Sequence, residues 1–493
     1  MAALVAVPGQ AAATVLVAAP GQAAASVLVA GPGQAAAAVS RFPSASLPGP
    51  RFMSTGLVDD SAFEGPVPAT RTTWLRRARQ LGSSWVRLGV YWQDIAPPAL
   101  SPGFRASDPS DPRYNWSYLD AAVRDATASG ERVVLTLFHP PAWALGSHAP
   151  RSVIPGTWRP RATTLGAFAR AVAQRYSGHF ADPQLPGRDL PRVSYFQAWN
   201  EPNLPSSISP QWTRRRRAWV PASPGIYRRL LNAVYANVKR IQPKAYILAA
   251  GTAPYGDRPG GARMRPVTFV RELLCLHGAA LRKGRCPDPA HFNALDHHPY
   301  ALTPTIHAFN PGDVSVPDIG KLKRILRAAE RTRRALPSGP KPIWITEIDW
   351  TSRPPDHAGI PLARQARYLS LAFYQLWRQG VAHVFWYLIH DIPFRSLTGA
   401  GVYFGDGRPK PSAAAFRFPF AVVPGTGRML TVWGDAPRAG MVTIERRKGR
   451  AWRALTRVRT TPDGIFYVRR RLSSKLILRA RIDGGATLVW TPR

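Results

Sequence analysis

One stretch of the sequence joins a short apolar run to an abrupt polar end: Val193-Ser194-Tyr195-Phe196-Gln197-Ala198-Trp199-Asn200-Glu201-Pro202. A short run that is rich in valine and aromatic residues, and that polar residues and a proline terminate, predicts a β-strand over Val193–Trp199. Asn200 and Glu201 then lie at the carboxyl end of this strand. The neighbouring sequence indicates the kind of sheet to which the strand belongs.

Seven further β-rich runs lie between residues 51 and 417, and amphipathic stretches at helical spacing separate them. The eight predicted strands are Phe52–Val58, Trp85–Trp92, Arg132–His139, Val193–Trp199, Ala245–Ala250, Phe292–His297, Pro342–Glu347 and His383–Leu388. The predicted helices are Thr72–Leu81, Tyr118–Ser129, Leu165–Tyr176, Ile226–Ile241, Val267–Leu281, Ile319–Leu336 and Leu362–Arg378. This alternation predicts an α/β fold, a parallel (β/α)8 TIM barrel with insertions, over residues 51–418. A doubly wound sheet is the structural alternative, but no glycine-rich turn follows the first strand.

Residues 1–40 contain no charged side chain and repeat with a period of twelve. Pro8-Gly9-Gln10-Ala11 recurs as Pro20-Gly21-Gln22-Ala23 and as Pro32-Gly33-Gln34-Ala35. Proline and glycine interrupt each apolar run, and alanine-rich units of this length bury too little surface for a repeat fold. The segment is interpreted as an export signal, or as a start-site extension with a duplicated signal core, although it lacks the usual basic beginning. We therefore expect a secreted or cell-wall-associated protein.

Residues 421–493 consist of short predicted strands separated by turns, which indicates a small basic all-β domain of the sandwich type. Two clusters of cations, Arg446-Arg447-Lys448 and Arg469-Arg470-Arg471, lie on these strands. They favour attachment to an anionic cell wall or polysaccharide, and such attachment should weaken as salt is added. The excess of arginine also has an alternative explanation in the coding composition.

The composition excludes several classes of protein. Lys plus Arg number 66 and Asp plus Glu number 28 among 493 residues, so the formal net charge of +38 first suggests nucleic acid as a partner. The arginines are scattered, however, and we find no zinc-ligand spacing, helix-turn-helix pattern or aromatic RNA-binding motif, so nucleic acid is not expected. Downstream of residue 40 no apolar run reaches 18 residues, which excludes a protein that spans a membrane several times. Two cysteines exclude a four-cysteine zinc site.

Two of the predicted barrel strands end in a glutamate. The fourth ends in Trp199-Asn200-Glu201-Pro202-Asn203, and the seventh ends in Thr346-Glu347-Ile348-Asp349-Trp350. Because active sites of (β/α)8 proteins lie at the carboxyl ends of the strands, Glu201 and Glu347 should project into one mouth from opposite sides of the barrel. Cleavage of a glycosidic bond requires two facing carboxylates of this kind.

At these residues the sequence resembles the large clan of (β/α)8 retaining glycoside hydrolases known as clan A, with a texture closest to its family 39 and family 5 branches. The Asn200-Glu201-Pro202 motif matches the Asn-Glu-Pro signature of the clan. The resemblance implies a secreted enzyme that cleaves a poly- or oligosaccharide by double displacement. Glu201 would be the general acid/base and Glu347 the nucleophile, while Asn200 would bond the sugar 2-hydroxyl.

Five further residues match the clan more weakly. Arg87 would keep Glu347 ionised, Tyr300 would hydrogen-bond it, and His298 would belong to the sugar-binding shell. His139 matches a histidine that only some branches have, and Trp386 matches a tryptophan that stacks under the sugar ring. The alternatives are an ion-pair role for Arg87, a core role for His139 and barrel filling for Trp386.

Other functions and features remain open in the sequence. A transglycosidase would use the same site, and a carbohydrate-binding or surface-binding protein would have lost catalysis. The loop Leu204–Ser223, with Trp212, Trp219 and the run Arg214–Arg217, is either a solvated basic loop or an outer subsite for an acidic group. Cys275 and Cys286 form a disulfide if the protein is exported, or are two unrelated thiols in a cytosolic one. No metal site and no cofactor are predicted, and we expect a monomer.

Overall fold

The structure is a computed structural model that describes residues 47–392, 399–427 and 429–492. The repetitive segment 1–40 lies outside the described residues, so its predicted role in export remains a prediction. The described residues belong to one structural unit. No helix among them is long and apolar enough to cross a membrane.

Eight parallel strands of the described chain form a closed barrel. They are β1 (Ser54–Val58), β2 (Trp85–Tyr91), β3 (Arg132–Phe138), β4 (Tyr195–Ala198), β5 (Tyr246–Thr252), β6 (Ala294–His297), β7 (Ile343–Trp344) and β8 (His383–Tyr387). Their order is β7-β6-β5-β4-β3-β2-β1-β8. The barrel closes where Ile345 bridges to Val384, with the amide of Phe385 2.8 Å from the carbonyl oxygen of Ile345. The predicted (β/α)8 barrel is thereby confirmed.

A helix follows each barrel strand. These helices are α1 (Pro68–Gln80), α2 (Ser117–Ala128), α3 (Ala162–Arg175), α4 (Ser223–Ile241), α5 (Pro266–Leu273), α6 (Ile319–Arg331), α7 (Leu362–Arg378) and α8 (Pro411–Arg417). Short helical turns add Asp60–Phe63, Trp92–Ile95, Ala142–Ala144 and Val316–Asp318. Helix α8, which follows β8, was missed by the sequence analysis.

Two helices end earlier than predicted. Helix α5 stops at Leu273 rather than Leu281, because Cys275 has a φ of 50° and the following residues form the paired strands Leu276–His277 and Arg282–Lys283. Helix α6 stops at Arg331 rather than Leu336, and Ala335–Leu336 pairs with Ala290–His291 instead. In both cases the apolar residues that extended the predicted helix, such as Leu276 and Ala335, belong to short strands and are buried there.

The side chains of the barrel strands alternate between two environments, as strand geometry requires. One set fills the inside of the barrel: Val58, Trp85, Val134, Leu248, Ala294, Trp344 and Phe385, with Tyr387 packed against them. The other set packs outward against the helices. Polar groups at the carboxyl ends of the strands line the mouth above the inner layer.

The C-terminal strands form two antiparallel sheets. The first contains β9 (Phe420–Pro424), β10 (Met429–Asp435) and β13 (Ile465–Arg471), and the second contains β11 (Met441–Lys448), β12 (Ala451–Arg459), β14 (Leu478–Ile482) and β15 (Gly485–Ala486). Trp433 of β10 packs on Tyr374 and Trp377 of α7, with ring centroids 5.8 and 5.7 Å apart. The predicted all-β C-terminal region is confirmed, and it shares apolar core with the barrel helices.

Candidate active site

The backbone turns sharply at the end of β4, and this turn brings Asn200 and Glu201 into the mouth. Trp199 and Glu201 have φ values of 74° and 45°, in the left-handed region that L-residues seldom adopt. The amide of Glu201 donates to the carbonyl of Gly251 at 3.1 Å, and the Trp199 indole N–H donates to Ser207 at 2.8 Å. Several contacts together thus hold an unfavourable backbone conformation.

Glu347 follows β7 and is 8% exposed. Arg87 of β2 lies 2.6 Å from its Oε1, and the Tyr300 hydroxyl donates to its Oε2 at 2.8 Å. Burial by itself raises the pKa of a carboxyl group, but the charges of His298 and Arg87 and the hydrogen bond from Tyr300 hold the pKa of Glu347 below its ordinary value. Glu347 is therefore an ionised carboxylate that contacts three donor side chains or cations.

His298 lies between the two glutamates and is fully buried. Its Nδ1 is 3.2 Å from Glu201 Oε1 and 3.6 Å from Glu347 Oε2. Burial favours the neutral ring, but the charge of Glu347 and hydrogen bonds with Asp296 and Glu201 raise the pKa of His298 to about 10. The ring is consequently an imidazolium at neutral pH.

The two carboxylates face each other closely. One oxygen of Glu201, one of Glu347 and a ring nitrogen of His298 all lie within 4.8 Å of one another. Two carboxylates and a histidine also make a plausible ligand set for a cation. Both oxygens of Glu347 already have partners, however, since Arg87 lies 2.6 Å from Oε1 and the Tyr300 hydroxyl donates to Oε2 at 2.8 Å. The arrangement therefore favours proton transfer and nucleophilic chemistry over metal binding.

A buried polar network supports the site from below. Asp296 of β6 accepts from the Gln197 amide at 2.9 Å and from the backbone N–H of Thr346 at 3.0 Å, and also from the Thr346 hydroxyl. Thr346 in turn lies 3.1 Å from both Arg87 and His298. These positioning residues were not predicted from the sequence, although a charged Asp296 within an apolar strand was a signal that could have found them.

Asn200, Glu201 and His139 line one cavity of about 280 Å³. The Asn200 Oδ1 is buried without a hydrogen-bond partner among the described residues. The His139 ring stacks on Tyr91 at 5.6 Å and has an exposed position at the wall of the cavity. The structure thus brings both residues to the mouth, and the Asn200 carbonyl oxygen there has no hydrogen-bond partner among the described residues.

Trp386 does not lie in the mouth, which corrects the prediction of a stacking platform. Its side chain is fully buried outside the barrel, where it packs on Trp350 and donates to the Ala400 carbonyl at 3.0 Å. The next residue of β8, Tyr387, points inward because neighbouring strand residues face opposite sides. Its backbone N–H donates to the Ile348 carbonyl at 3.1 Å, so Tyr387 lies beside the segment that carries Glu347, and burial and the charge of Glu347 raise the pKa of its phenol.

Two further predictions concern the cysteines and the arginine-rich loop Leu204–Ser223. Cys275 and Cys286 form a disulfide, which confirms the predicted bond. The loop between β4 and α4 is not irregular throughout, since Trp212–Arg215 and Ala218–Pro221 form an antiparallel hairpin. Arg214 lies over the Trp219 ring at 5.9 Å, and Trp219 is 45% exposed.

No protein-family model and no curated protein matches the chain. Among solved structures, a family 39 glycoside hydrolase from Bacteroides cellulosilyticus WH2 is similar at 17% sequence identity and a TM-score of 0.52, over 85% of this chain and 81% of that chain. A glucosidase from Croceicoccus marinus is similar at 12% identity and a TM-score of 0.47, over 86% of this chain and 94% of that one. A GH5_18 protein from Streptomyces cattleya in complex with GlcNAc has 15% identity and a TM-score of 0.45, over 74% and 79%. The chain therefore shares the (β/α)8 fold of the family 39 glycoside hydrolase, which is the fold that the alternation of strands and helices in the sequence predicts.

Proposed function

We propose that the protein is a retaining glycoside hydrolase, with Glu347 as nucleophile and Glu201 as general acid/base. The observation that carries this proposal is the approach of the two carboxylates to within 4.8 Å across the mouth. Retaining enzymes hold these groups about 5–5.5 Å apart, whereas inverting enzymes keep about 6.5–9.5 Å to admit a water molecule. The spacing therefore supports direct attack by a carboxylate.

The contacts of Glu347 suit a nucleophile. Arg87 and Tyr300 hold one oxygen each and fix the orientation of the carboxylate, and the lowered pKa keeps it anionic. In the first step Glu347 bonds to the anomeric carbon while Glu201 gives its proton to the departing glycosidic oxygen. In the second step Glu201 takes a proton from water, and the water oxygen displaces Glu347 from the same carbon.

The stereochemistry of the product tests this mechanism. We expect NMR of aryl glycoside hydrolysis to show that the first product keeps the configuration of the substrate. Glu347→Gln should abolish turnover, and Glu201→Gln should lower it by about 10²–10⁴-fold, while circular dichroism shows that both variants keep the fold. Inverted product, or full activity of Glu347→Gln, would contradict the assignment. Analysis of products at high sugar concentration separates hydrolysis from transfer to a second sugar.

We also propose that the protein works outside the cell and contacts an anionic surface through its C-terminal sheets. The disulfide supports an oxidising compartment, and Arg446, Arg447 and Lys448 are exposed at the hairpin between β11 and β12. Their joint replacement by alanine should let the full-length protein elute from an anionic resin at lower salt. Unchanged elution would argue against this surface.

A further inference from the structure

We call the cavity of about 280 Å³ that Asn200, Glu201 and His139 line the sugar cavity. Beside it lies a second cavity of about 390 Å³, lined by arginines, which we call the basic cavity. Arg159, Arg161 and Arg229 form its walls together with Thr213 and Pro210. All three arginines are exposed, and none of the ion pairs within the described residues involves them. Among the described residues that line this cavity, none is acidic.

The arginine-rich hairpin contributes one wall. Thr213 faces the cavity, and Arg215 lies two residues further along the same strand, so it shares the face of Thr213. Arg215 is exposed and adds a fourth guanidinium to this side of the hairpin. The run Arg214–Arg217, which has no role in the proposed catalytic mechanism, is therefore adjacent to the basic cavity.

The two cavities lie on opposite sides of one narrow ridge. Trp158 and Ser209 bridge the loops after β3 and β4, with backbone hydrogen bonds of 2.8 Å on either side. Thr157 before this bridge lines the sugar cavity, whereas Arg159 after it lines the basic cavity. The Arg159 guanidinium lies 4.9 Å from the centre of the Trp158 ring, so an aromatic surface marks the crossing. A chain of linked sugars that leaves the glutamates in this direction meets the arginines next.

We propose that the basic cavity is an outer subsite for the anionic group of an acidic glycan, a carboxylate or a sulfate. This inference rests on the proposed glycosidase function and names its substrate class. Guanidinium groups recognise planar and tetrahedral oxyanions with paired N–H donors, and here three arginines line one cavity that has no acidic lining residue. The acidic group would lie beyond the reacting sugar, because the mouth itself carries Glu201 and Glu347.

Calorimetry with the Glu347→Gln protein tests binding without turnover. The probes are a galacturonic acid tetrasaccharide, sulfated cellotetraose and neutral cellotetraose, so that the arms separate carboxylate, sulfate and uncharged ligands. The test variant adds Arg161→Ala and Arg229→Ala. The matched control adds Arg240→Ala, an exposed arginine at the other end of α4.

We expect at least one anionic probe to bind about tenfold more weakly to the double arginine variant, and about equally to the Arg240→Ala control. Neutral cellotetraose should show no difference between the two variants. Equal loss in both variants would mean a diffuse charge effect, and no loss would mean that the cavity binds no anion; either result overturns the inference. Turnover of neutral aryl glycosides by the wild-type protein reports separately on the glycosidase function, so the two proposals fail independently.

Discussion

His298 holds a positive charge beside the carboxylate of Glu347 and within hydrogen-bonding distance of Glu201. Its Nδ1 lies 3.2 Å from Glu201 and 3.6 Å from Glu347, so one side chain contacts both glutamates. A cation in this position lets two acidic groups approach within the distance that bond exchange needs. The same cation makes the stability of the fold depend on pH.

Replacement of His298 by asparagine should reveal this dependence. The pKa of His298 is raised to about 10 in the folded protein, above the value of about 6.5 in unfolded chains. Its stabilising charge is therefore fully present below about pH 6.5 and is lost as the pH rises towards 10. We expect the variant to be less stable than wild type by about 3 kcal/mol near pH 6, with a smaller difference near pH 9. Urea denaturation at both pH values measures this difference, and a constant gap would contradict the charged state.

The register of β8 predicts opposite effects for two adjacent aromatic residues. Trp386→Phe should lower the free energy of unfolding by about 1–3 kcal/mol, because it removes buried volume and the hydrogen bond to Ala400, while kcat/KM changes little. Tyr387→Phe should leave stability almost unchanged and lower kcat/KM by about tenfold, because Tyr387 points into the barrel beside the segment that carries Glu347. Denaturation and kinetics on both variants decide the register, and the reverse pattern would restore Trp386 as the sugar platform.

At the scale of single elements, the sequence predicted which strands and helices exist better than it predicted where each of them begins and ends. The position of Glu201 and Glu347 after their strands was readable, since polar residues end apolar runs there. The short length of β7 could not be read from the sequence. The Thr346 amide donates to the Asp296 carboxylate, whereas in a longer strand it would pair with a neighbouring strand. The sequence also could not show which side of β8 faces inward, because barrel closure sets that register.

The segment after α5 provides a test at this scale. The disulfide between Cys275 and Cys286 closes a short loop between α5 and β6, at the end of the barrel opposite the mouth. Loss of this cross-link in Cys275→Ser/Cys286→Ser should destabilise the protein by about 2–3 kcal/mol and leave kcat/KM near its wild-type value. Wild-type protein kept in reductant is the control, and alkylation with mass analysis establishes the state of both cysteines. Equal stability of oxidised and reduced protein would argue against a structural disulfide.

At the scale of the whole molecule, the barrel and the C-terminal sheets share one apolar core. Tyr374 and Trp377 of α7 pack on Trp433, and Trp377 also packs on Tyr467 of β13 at 5.8 Å. The sequence indicated two regions by their texture, but it could not show this shared core, because contacts between regions leave no periodic pattern.

Trp433→Ala should therefore destabilise the entire protein. We expect a loss of about 3–5 kcal/mol and a single unfolding transition, since Trp433 is fully buried against α7. Trp219→Ala is a matched control at a 45% exposed tryptophan and should cost less than about 1 kcal/mol. Calorimetry and intrinsic fluorescence should report the same midpoint for Trp433→Ala. Two separate transitions, with the barrel unaffected, would contradict the shared core.

The closure of the barrel also sets the order in which the chain becomes folded during synthesis. Ser54 pairs with His383, so β1 has no partner on one edge until most of the polypeptide has left the ribosome. Trp377 of α7 packs on Trp433 and Tyr467, and both of these residues are synthesised after α7. The nascent chain therefore cannot close its barrel before β8 has been synthesised, and it cannot complete its shared core before Tyr467 has been synthesised.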